Sequence, residues 1–423
     1  MTIDTSSDCL APYQVLSQAF NLPTKAQQQW WHYTAPVFVK SMVNANYDVH
    51  AQYSQLAFFH RCVLPYLGGF PGDKAANNLY KSGLSPYGLP FEFSLNLPEG
   101  TVRYSYEPIG PYAGTKDDPF NIKEMWNVIQ DLVSFDDTID TTWFRELVGL
   151  LLLSQKEASD LLSRPDFTPG GPARGQYQFA VDMKGGHPFV KAYFFTTMKT
   201  LATGIPADQL ISKAVRALDH KGRVAAPLAQ LEEYTHARGA ETDSTFMTAY
   251  LGCDMVDPQQ ARLKVYGLDR EVTFDRLIDL WTMGGRIPND ATSEAGINAL
   301  RELWDLLSIP AGTREMKVDH LQLGEAPKSL LPLIVNYTLL PSSQYPEPQV
   351  YLVPFGMPDG GIADALTRFF GRMGWDQCAQ TYKKNLVSYY PHQDFTKTKH
   401  VQEAVSFSYK NGKPYLSVYI SHF

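Results

Sequence analysis

The segment Arg262-Leu263-Lys264-Val265-Tyr266 alternates cationic and phenolic side chains with aliphatic ones, and related segments recur along the chain. Successive side chains of a β-strand point to opposite faces, so residues two apart share a face. The pattern therefore predicts strands that aim a cation or amide and a tyrosine to one side. Such a wall of cations and phenols suits a polyphosphate beside a carbocation. The related segments are Thr101-Val102-Arg103-Tyr104-Ser105-Tyr106, Val190-Lys191-Ala192-Tyr193, Gln349-Val350-Tyr351 and Tyr415-Leu416-Ser417-Val418-Tyr419.

Each of these segments belongs to one of five predicted strand pairs, and helical patterns precede every pair. The Asn411-Gly412 turn of the last pair is the strongest short hairpin signal in the chain. The predicted pairs are 90–97 with 102–108, 176–183 with 189–196, 245–252 with 261–266, 331–339 with 349–354, and 403–409 with 414–420. The helical patterns cover 11–67, 121–134, 141–163, 207–238, 273–283, 293–307 and 362–389, and 68–90 reads as a loop.

A helix–helix–strand–strand unit repeated five times indicates an α+β fold with about ten antiparallel strands. Closure of so many twisted strands removes the sheet edges, so we expect a ten-stranded antiparallel β-barrel surrounded by α-helices. Its interior would be wide enough for ligands. The prediction is a single domain over 1–423, with an N-terminal helical segment 11–67 and barrel repeats from about 88 to 423. The outward valines expected to pack on the helices are Val102, Val190, Val265, Val350 and Val418.

The composition argues against several classes of partner. The net charge is -7 and no basic patch is visible, so nucleic acid is not expected. Residues 1–9 are polar, and the longest apolar run, 147–153, is far below the roughly 20 residues of a membrane helix. The four cysteines, Cys9, Cys62, Cys253 and Cys378, form no CxxC pair, which favours neither a disulfide framework nor zinc. We expect a cytoplasmic protein, monomeric or homodimeric, without a membrane partner.

Two acidic stretches suggest a different chemistry. Asp136-Asp137-Thr138-Ile139-Asp140 matches the Asp-Asp-x-x-Asp pattern of magnesium-dependent isoprenoid enzymes, whose carboxylates hold metal ions on a pyrophosphate. Asn289-Asp290 with Ser293 half-matches a second such motif, but Ile297 stands where its acid is needed. Because Asp140 directly precedes a helical pattern, a loop and N-cap interpretation is favoured. A magnesium-dependent synthase stays an alternative, and a barrel that binds an aromatic metabolite without catalysis is another.

Several short strings follow one another in a characteristic order from the N-terminal helices to the third strand pair. They are Trp30-Trp31, Phe58-Phe59-His60, Leu64-Pro65-Tyr66-Leu67-Gly68, Gly88-Leu89-Pro90-Phe91-Glu92-Phe93-Ser94-Leu95-Asn96, Val102-Arg103-Tyr104-Ser105-Tyr106-Glu107-Pro108-Ile109-Gly110, Gly252-Cys253-Asp254-Met255-Val256-Asp257-Pro258 and Arg262-Leu263-Lys264-Val265-Tyr266. Their joint order and spacing resemble the fungal aromatic prenyltransferases of the dimethylallyltryptophan synthase family over nearly the whole chain.

The resemblance implies the ABBA or PT barrel and metal-independent transfer of a dimethylallyl group from dimethylallyl pyrophosphate to an aromatic acceptor, with no cofactor required. Fixed cations would replace a metal ion and stabilise the departing pyrophosphate, while phenol faces would stabilise the allylic cation and exclude water. The implied pyrophosphate ligands are Arg103, Lys191, Arg262, Lys264, Gln349 and Lys410. The implied tyrosine shield is Tyr193, Tyr266, Tyr351, Tyr415 and Tyr419.

The implied acceptor site is less complete than the donor site. Glu92 would accept a hydrogen bond from an indole N–H or phenol O–H and make the ring more electron-rich, and Leu84 would pack beside it. Gln178 stands where tryptophan-using members carry a lysine that helps to remove the ring proton, and Ala249 stands where an arginine can hold the amino acid's carboxylate. We therefore expect a less charged acceptor of secondary metabolism: an indole alkaloid, a cyclic dipeptide, or a phenolic or quinone-type compound.

Overall fold

Ten strands close into one antiparallel barrel, as the strand pairs predict. The computed structural model describes residues 10–72, 80–167, 175–315, 320–325, 327 and 330–423, so Cys9 lies outside the described residues. Two further short strands, β7 and β8, pair with each other in a separate small sheet. The strands are β1 (Phe91–Leu97), β2 (Thr101–Tyr106), β3 (Tyr177–Lys184), β4 (His187–Phe195), β5 (Phe246–Asp254), β6 (Leu263–Asp269), β7 (Glu271–Val272), β8 (Gly312–Thr313), β9 (Leu333–Leu339), β10 (Glu347–Leu352), β11 (Gln402–Lys410) and β12 (Lys413–Ile420).

The barrel follows the order of the chain. Five hairpins stand side by side, every neighbouring pair is antiparallel, and β12 closes the barrel against β1 through Phe93↔Ile420 and Leu95↔Val418. In such an arrangement all five hairpin turns lie at one end, which we call the turn end. At the opposite end, the helix end, each hairpin connects to helices. These two ends give the interior its chemical polarity.

Helices surround the barrel and cover its aliphatic face. All five predicted outward valines are buried, which confirms the alternation on these strands. A π-helical turn, Phe59–Val63, and a 3-10 turn, Leu64–Tyr66, continue α3. The helices are α1 (Ala11–Ala19), α2 (Lys25–Asn44), α3 (Val49–Phe58), α4 (Met125–Phe135), α5 (Thr142–Leu151), α6 (Gln155–Leu162), α7 (Thr197–Thr203), α8 (Ala207–Leu218), α9 (Ala225–Gly239), α10 (Phe274–Thr282), α11 (Ala291–Leu307), α12 (Asp359–Arg372) and α13 (Asp376–Tyr389).

Local capping divides three of the long helical patterns. Ser154 forms a reciprocal capping box with Glu157 at the start of α6, so the pattern 141–163 becomes α5 and α6. Asp219 accepts hydrogen bonds from the backbone N–H groups of Arg223 and Val224 in the turn between α8 and α9. Gly374, with a φ of 73°, separates α12 from α13. Short α7 was not expected, and three helices rather than two precede each of the first three hairpins.

One strand departs from the predicted pattern of faces. In β2, Arg103 points into the barrel. Tyr104 and Tyr106 are one and three residues further along the strand, so they point outward. The Tyr104 ring stacks on Phe38 with centroids 5.2 Å apart, and Tyr106 packs on Phe179 at 5.7 Å. The expectation that this strand aims a tyrosine beside its cation is therefore wrong. Both phenols belong to the packing between barrel and helices.

Two findings concern the cysteines and the helices of the described residues. Cys62, Cys253 and Cys378 are all free thiols. Among the helices within the described ranges, none is both long and apolar enough to cross a membrane.

Candidate active site

A cavity of about 400 Å³ lies inside the barrel and reaches its turn end, where Glu99 and Lys184 contribute to the lining. The six residues expected to bind pyrophosphate and the five expected shield tyrosines all line this one cavity. They are Arg103, Lys191, Arg262, Lys264, Gln349, Lys410, Tyr193, Tyr266, Tyr351, Tyr415 and Tyr419. The strand alternation thus brings together side chains that lie more than 300 positions apart in the chain.

Asp182 forms ion pairs with two of these cations. Lys191 Nζ donates to Asp182 Oδ1 at 2.6 Å, and Arg103 Nε lies 3.1 Å from the same oxygen. Burial alone would raise the pKa of this carboxyl, but the charges of Lys191 and Arg103 hold it below its usual range. Sequence reasoning missed Asp182, because its contact with Arg103 appears only once the register Arg103↔Asp182 between β2 and β3 is known.

Two more cations have carboxylate partners nearer the turn end. Arg262 Nε donates to Asp254 Oδ2 at 2.6 Å, and its Nη2 donates to Oδ1 at 3.2 Å. Lys410 Nζ donates to Glu347 Oε2 at 2.7 Å. Both cations are partly exposed to solvent. Lys410 therefore lies at the mouth of the cavity, within reach of an entering anion.

Lys264 differs from the other cations of the cavity. Its side chain is half-buried, and none of the described residues forms a hydrogen bond or an ion pair with its ammonium group. Burial, together with the charges of Lys191, Arg262 and Lys410, lowers the pKa of Lys264 well below its usual value. The charged form of this lysine is therefore disfavoured until an anion lies beside it. An anion that enters the cavity would supply the missing partner.

Asn336 organises the amide and phenol groups of the cavity wall. Its Nδ2 donates to Gln349 Oε1 at 3.0 Å and to the Tyr351 hydroxyl at 3.1 Å, and Gln349 Nε2 in turn donates to Ser406 Oγ at 3.0 Å. Asn336 is fully buried on β9. This chain of bonds fixes the orientation of Gln349. Sequence reasoning missed Asn336, because the predicted strand 331–339 carries no cation–tyrosine alternation.

Four of the tyrosines form a continuous arc between the cations and the helix end: Tyr193, Tyr266, Tyr351 and Tyr419. Ring centroids are 5.8 Å apart for Tyr193 and Tyr266, 6.4 Å for Tyr266 and Tyr351, and 5.7 Å for Tyr351 and Tyr419. Tyr250, which was not predicted, stacks on Tyr266 at 4.2 Å with nearly parallel rings. It follows a β-bulge between Thr248 and Tyr250, and a bulge shifts the alternation in a way that sequence counting does not reveal.

Gly252 lets two of these rings lie close to the backbone. A Cβ atom at this position would lie 3.0 Å from Cδ1 and Cε1 of Tyr193 and 3.4 Å from Cε2 of Tyr266. Any larger side chain would push one or both rings away. Within the arc, the close approach of backbone and ring at Gly252 thus positions Tyr193 against Tyr266.

The residues predicted for the acceptor lie mostly near the helix end. Glu92 and Gln178 are the second residues of β1 and β3 and share the inward face of Ser94 and Ala180, which line the cavity. Ala249 lies at the β5 bulge, where its carbonyl accepts a bond from Thr196 Oγ1 at 3.0 Å. Leu84 is half-buried in the loop before β1 and does not line the cavity. The structure therefore groups Glu92 with Gln178 more clearly than with Leu84.

A second carboxyl group, Glu403, also lies at the helix end and was not predicted. It occupies the register shift between Gln402 and Ala404 of β11 and is only 6% exposed. Burial raises the pKa of Glu403 to about 8, and burial with the charge of Glu403 raises that of Glu92 well above its usual value. An apolar cluster adjoins this end of the barrel: Tyr87, Leu89, Val353, Phe355 and Ala404.

The two acidic motifs have structural roles outside the cavity. Asp136 ends α4, and its Oδ1 accepts bonds from the Thr138 backbone N–H at 3.0 Å and hydroxyl at 2.6 Å. Asp140 Oδ1 accepts the Thr142 N–H at 2.7 Å at the start of α5. Asp290 caps α11 by accepting the Ser293 N–H at 2.8 Å. The described part of the chain contains no group of three or more His, Cys, Asp or Glu side chains arranged to hold a metal ion.

Comparison with known proteins gives consistent matches. The sequence model of a family described as tryptophan dimethylallyltransferase matches residues 26–385. Prenyltransferase criF of Aspergillus cristatus is 47% identical over 98% of this chain and 100% of its own length. The crystal structure of AnaPT from Neosartorya fischeri matches with a TM-score of 0.86 and 34% identity, over 97% of this chain and 98% of AnaPT. That of NotF in complex with brevianamide F and DMSPP matches with a TM-score of 0.82 and 30% identity, over 97% and 98%.

Proposed function

Because this chain belongs to the tryptophan dimethylallyltransferase family, we propose that it ionises a prenyl pyrophosphate at the turn end of its barrel and presents the allylic cation to an aromatic acceptor at the helix end. The chain is a prenyltransferase, a transferase of an alkyl group other than methyl, and it moves a dimethylallyl group to an aromatic acceptor. The fold is the helix-surrounded ten-stranded barrel of the ABBA prenyltransferases.

The observation that carries the donor assignment is the half-buried Lys264, whose ammonium group has no partner among the described residues. A pyrophosphate in the cavity would give this ammonium group a counterion and would also reach Lys191 and Arg262. Arginine offers forked hydrogen bonds to phosphate oxygens, and fixed cations stabilise the charge that grows on the leaving group. The full set of pyrophosphate ligands in this proposal is Arg103, Lys191, Arg262, Lys264, Gln349 and Lys410.

The tyrosine arc would then enclose the dimethylallyl cation. The face of each ring stabilises a neighbouring cation by about 0.5–2 kcal/mol, and the rings together exclude the water that would convert it to an alcohol. Tyr250 adds a sixth ring to the five predicted ones, since it stacks directly on Tyr266. The shield in this proposal is Tyr193, Tyr250, Tyr266, Tyr351, Tyr415 and Tyr419.

The helix end supports an uncharged acceptor with an N–H or O–H donor. Glu92 would accept that hydrogen bond and direct electron density into the ring as it attacks the cation in a Friedel–Crafts step. Glu92, Gln178, Ala249, Tyr250 and Glu403 include no lysine or arginine, so the carboxylate of a free amino acid would face two carboxyl groups there. A cyclic dipeptide, an indole alkaloid, or a phenolic or quinone-type metabolite avoids this conflict, and NotF was crystallised with brevianamide F.

A panel assay tests this function. Purified protein with dimethylallyl pyrophosphate should release pyrophosphate and yield a prenylated product with at least one member of a panel of cyclic dipeptides, indoles and phenols, read by mass spectrometry and NMR. We propose that no metal ion is needed, so EDTA should leave turnover unchanged, whereas loss of turnover in EDTA would favour a magnesium-dependent reaction. Acceptor binding without pyrophosphate release would instead indicate a non-catalytic binding barrel.

Free L-tryptophan should be a poor acceptor in the same panel. We expect its kcat/KM to be at least about 10-fold below that of brevianamide F, because each unfavourable interaction of 1.4 kcal/mol at a charged group corresponds to a factor of ten. Esterification of the tryptophan carboxylate should restore part of the difference, since it removes the charge but keeps the indole. If free tryptophan were the best acceptor by a wide margin, the assignment of the helix end would be wrong.

Affinity for pyrophosphate should depend on pH through the lysines of the cavity. Burial and the charge of Arg103 lower the pKa of Lys191 to about 8, against the opposing effect of Asp182. The pKa of Lys264 is also lowered well below its usual value. A bound anion favours the charged forms, so binding should take up protons and should weaken by about tenfold or more as the pH rises through 8. Calorimetry in buffers of different ionisation enthalpy measures both effects. The Lys191→Met variant should lose the step near pH 8, and a pH-independent affinity in the wild type would contradict the assignment.

We further propose that the whole chain acts as one domain, since β12 closes onto β1 and α2 packs against α13. Its partners would be small molecules, a prenyl pyrophosphate and an aromatic acceptor, without nucleic acid or membrane. The free thiols of Cys62, Cys253 and Cys378 support a reducing compartment such as the cytoplasm. Sedimentation of the purified protein would distinguish the monomer from the homodimer.

A further inference from the structure

We propose that Glu92 and Glu403 form a carboxyl pair at the helix end that holds one proton in its reactive form, and that this pair takes the ring proton released after prenyl transfer. The proposal rests on the proposed prenyltransferase function and assigns the step that Gln178 cannot perform, because an amide is not a base. Glu403 becomes a catalytic residue in this scheme, and Glu92 both orients the acceptor and belongs to the pair.

The strand register brings the two residues to the same part of the barrel. Strands β1 and β11 lie on either side of β12, and Phe93 and Gln402 both pair with Ile420. Glu92 precedes Phe93 and Glu403 follows Gln402, so the two residues flank the end of β12, about 4.8 Å away on either side. The irregularity between Gln402 and Ala404 matters here, because a bulge re-aims the side chain that it contains.

One carboxyl oxygen of Glu403 is available to accept a hydrogen bond or a proton from a ligand. Its Oε1 is buried and has no hydrogen-bond partner among the described residues, although the Ser421 side chain bonds to the carboxyl. Within the same described ranges, neither Glu92 nor Glu403 forms an ion pair with a lysine, arginine or histidine. A buried carboxyl oxygen without a partner is uncommon in folded proteins, and a donor on a bound ligand would satisfy it.

Two carboxylates in this apolar region disfavour each other, so the pair keeps at least one proton at neutral pH, and its reactive form arises when one of the two carboxyls ionises. Tyr87 and Tyr390 lie within electrostatic range of Glu403, and Tyr250 and Tyr419 lie within that of Glu92. Burial raises the pKa of all four phenols, so they stay neutral. His422, which bonds to Tyr390, is also neutral, because burial lowers its pKa to about 3. The carboxyl pair is therefore the group that titrates here near neutral pH.

The proton balance of the step is complete. In its reactive form the pair carries one negative charge and accepts the N–H or O–H hydrogen bond of the acceptor. Attack of the ring on the allylic cation forms a carbon–carbon bond and leaves a positively charged ring. The C–H bond at the attacked carbon then breaks, its electrons restore aromaticity, and the proton joins the carboxylate oxygen, so that the pair becomes neutral. Water removes this proton when the product leaves.

The protonation of the pair can be tested without any substrate. Infrared spectra of the wild type should contain the C=O stretch of a protonated carboxyl at neutral pH, and this band should be reduced in the Glu403→Gln variant. Glu92 alone should then titrate at a lower pH than it does in the pair. A variant at the cavity mouth, Glu347→Gln, is the control and should leave the band unchanged. Identical spectra for wild type and Glu403→Gln would overturn the shared proton.

Isotope effects test the proton transfer itself. With brevianamide F deuterated on its aromatic carbons, or with the best acceptor of the panel, wild-type turnover should show no primary isotope effect, because proton loss is fast. Glu403→Gln should lower kcat by about 10²-fold or more and reveal a primary isotope effect. A lower kcat of the Glu403→Gln variant without an isotope effect would indicate a purely structural role and overturn the proposal. Turnover of the variant at the wild-type rate would also overturn it. Absence of pyrophosphate release by the wild type with every acceptor would instead contradict the proposed function. The infrared test does not depend on turnover, so it distinguishes the two failures.

Discussion

Replacement of Lys264 by methionine should lower kcat/KM for the prenyl donor by about 10²–10³-fold and at the same time raise the free energy of unfolding by about 1–3 kcal/mol. The loss of activity follows because the ammonium group is aimed at the space where the leaving pyrophosphate would gather charge. The gain in stability follows because burial and the neighbouring cations disfavour the charged form of Lys264 in the folded protein, whereas methionine carries no such penalty. Steady-state kinetics and urea unfolding measure the two effects on the same preparations.

A matched control is available on the protein surface. Lys383 forms an exposed ion pair with Asp364, with side chains 51% and 58% exposed, so Lys383→Met should change unfolding by about 1 kcal/mol or less and leave kcat/KM unchanged. Opposite signs for activity and stability at Lys264 would mark a residue that serves binding at the expense of folding. Near-wild-type activity of Lys264→Met would remove this lysine from the donor site, and a loss of stability would show that its ammonium group has a partner in the folded protein.

The sequence predicted which cations and tyrosines share one cavity, and the reason is physical. A strand has a fixed period of two, so Arg262, Lys264 and Tyr266 share a face wherever the strand lies. Repetition in five hairpins, together with closure, directs these faces to one interior. The same reasoning failed at Tyr104, because a residue adjacent to Arg103 must point the other way, and the outward aromatic packs on Phe38 instead.

The counterions and the bulged residues could not be predicted in this way. Asp182 contacts Lys191 and Arg103 through the pairing of β3 with its two neighbours. The spacing of residues within one strand does not predict the register between strands. Tyr250 and Glu403 each lie beside an irregularity that shifts the alternation locally. Sequence reasoning therefore missed Tyr250 and Glu403 at the helix end, where we propose that the acceptor binds.

The interior is ordered along its axis by charge. Cations concentrate towards the turn end together with their carboxylate partners Asp182, Asp254 and Glu347, and phenols follow. The carboxyl groups of Glu92 and Glu403, which have no cationic partner among the described residues, lie towards the helix end. An anionic leaving group and an N–H donor would be drawn to opposite ends of this gradient, and the allylic cation would form between them against the tyrosine faces. The arrangement would also separate a released pyrophosphate from the carboxyl pair, so that the proposed base for the ring proton would not be neutralised by the cations that hold the leaving group.

Asp182 gives the strongest test of how the folded protein tolerates the cations of its cavity. We expect Asp182→Asn to lower the free energy of unfolding by about 3–5 kcal/mol at neutral pH, because it leaves the half-buried Lys191 and Arg103 without their shared, buried carboxylate. The Asp182 carboxyl has a lowered pKa in the folded protein, so its contribution is fully present at neutral pH and is lost as the pH falls through the folded pKa. Urea unfolding at neutral and acidic pH should therefore show a difference between wild type and variant that shrinks in acid.

The same variant should bind pyrophosphate more tightly than the wild type, by about tenfold, because the competing negative charge of Asp182 is absent from the cavity. Pyrophosphate should accordingly raise the melting temperature of Asp182→Asn more than that of the wild type, since a ligand stabilises the state that it binds. The exposed pair provides the control, and Asp364→Asn should alter unfolding by about 1 kcal/mol or less, with no change in affinity. Weaker binding together with lower stability would mean that Asp182 orients Lys191 and Arg103 for the anion, and that orientation outweighs the repulsion between Asp182 and pyrophosphate.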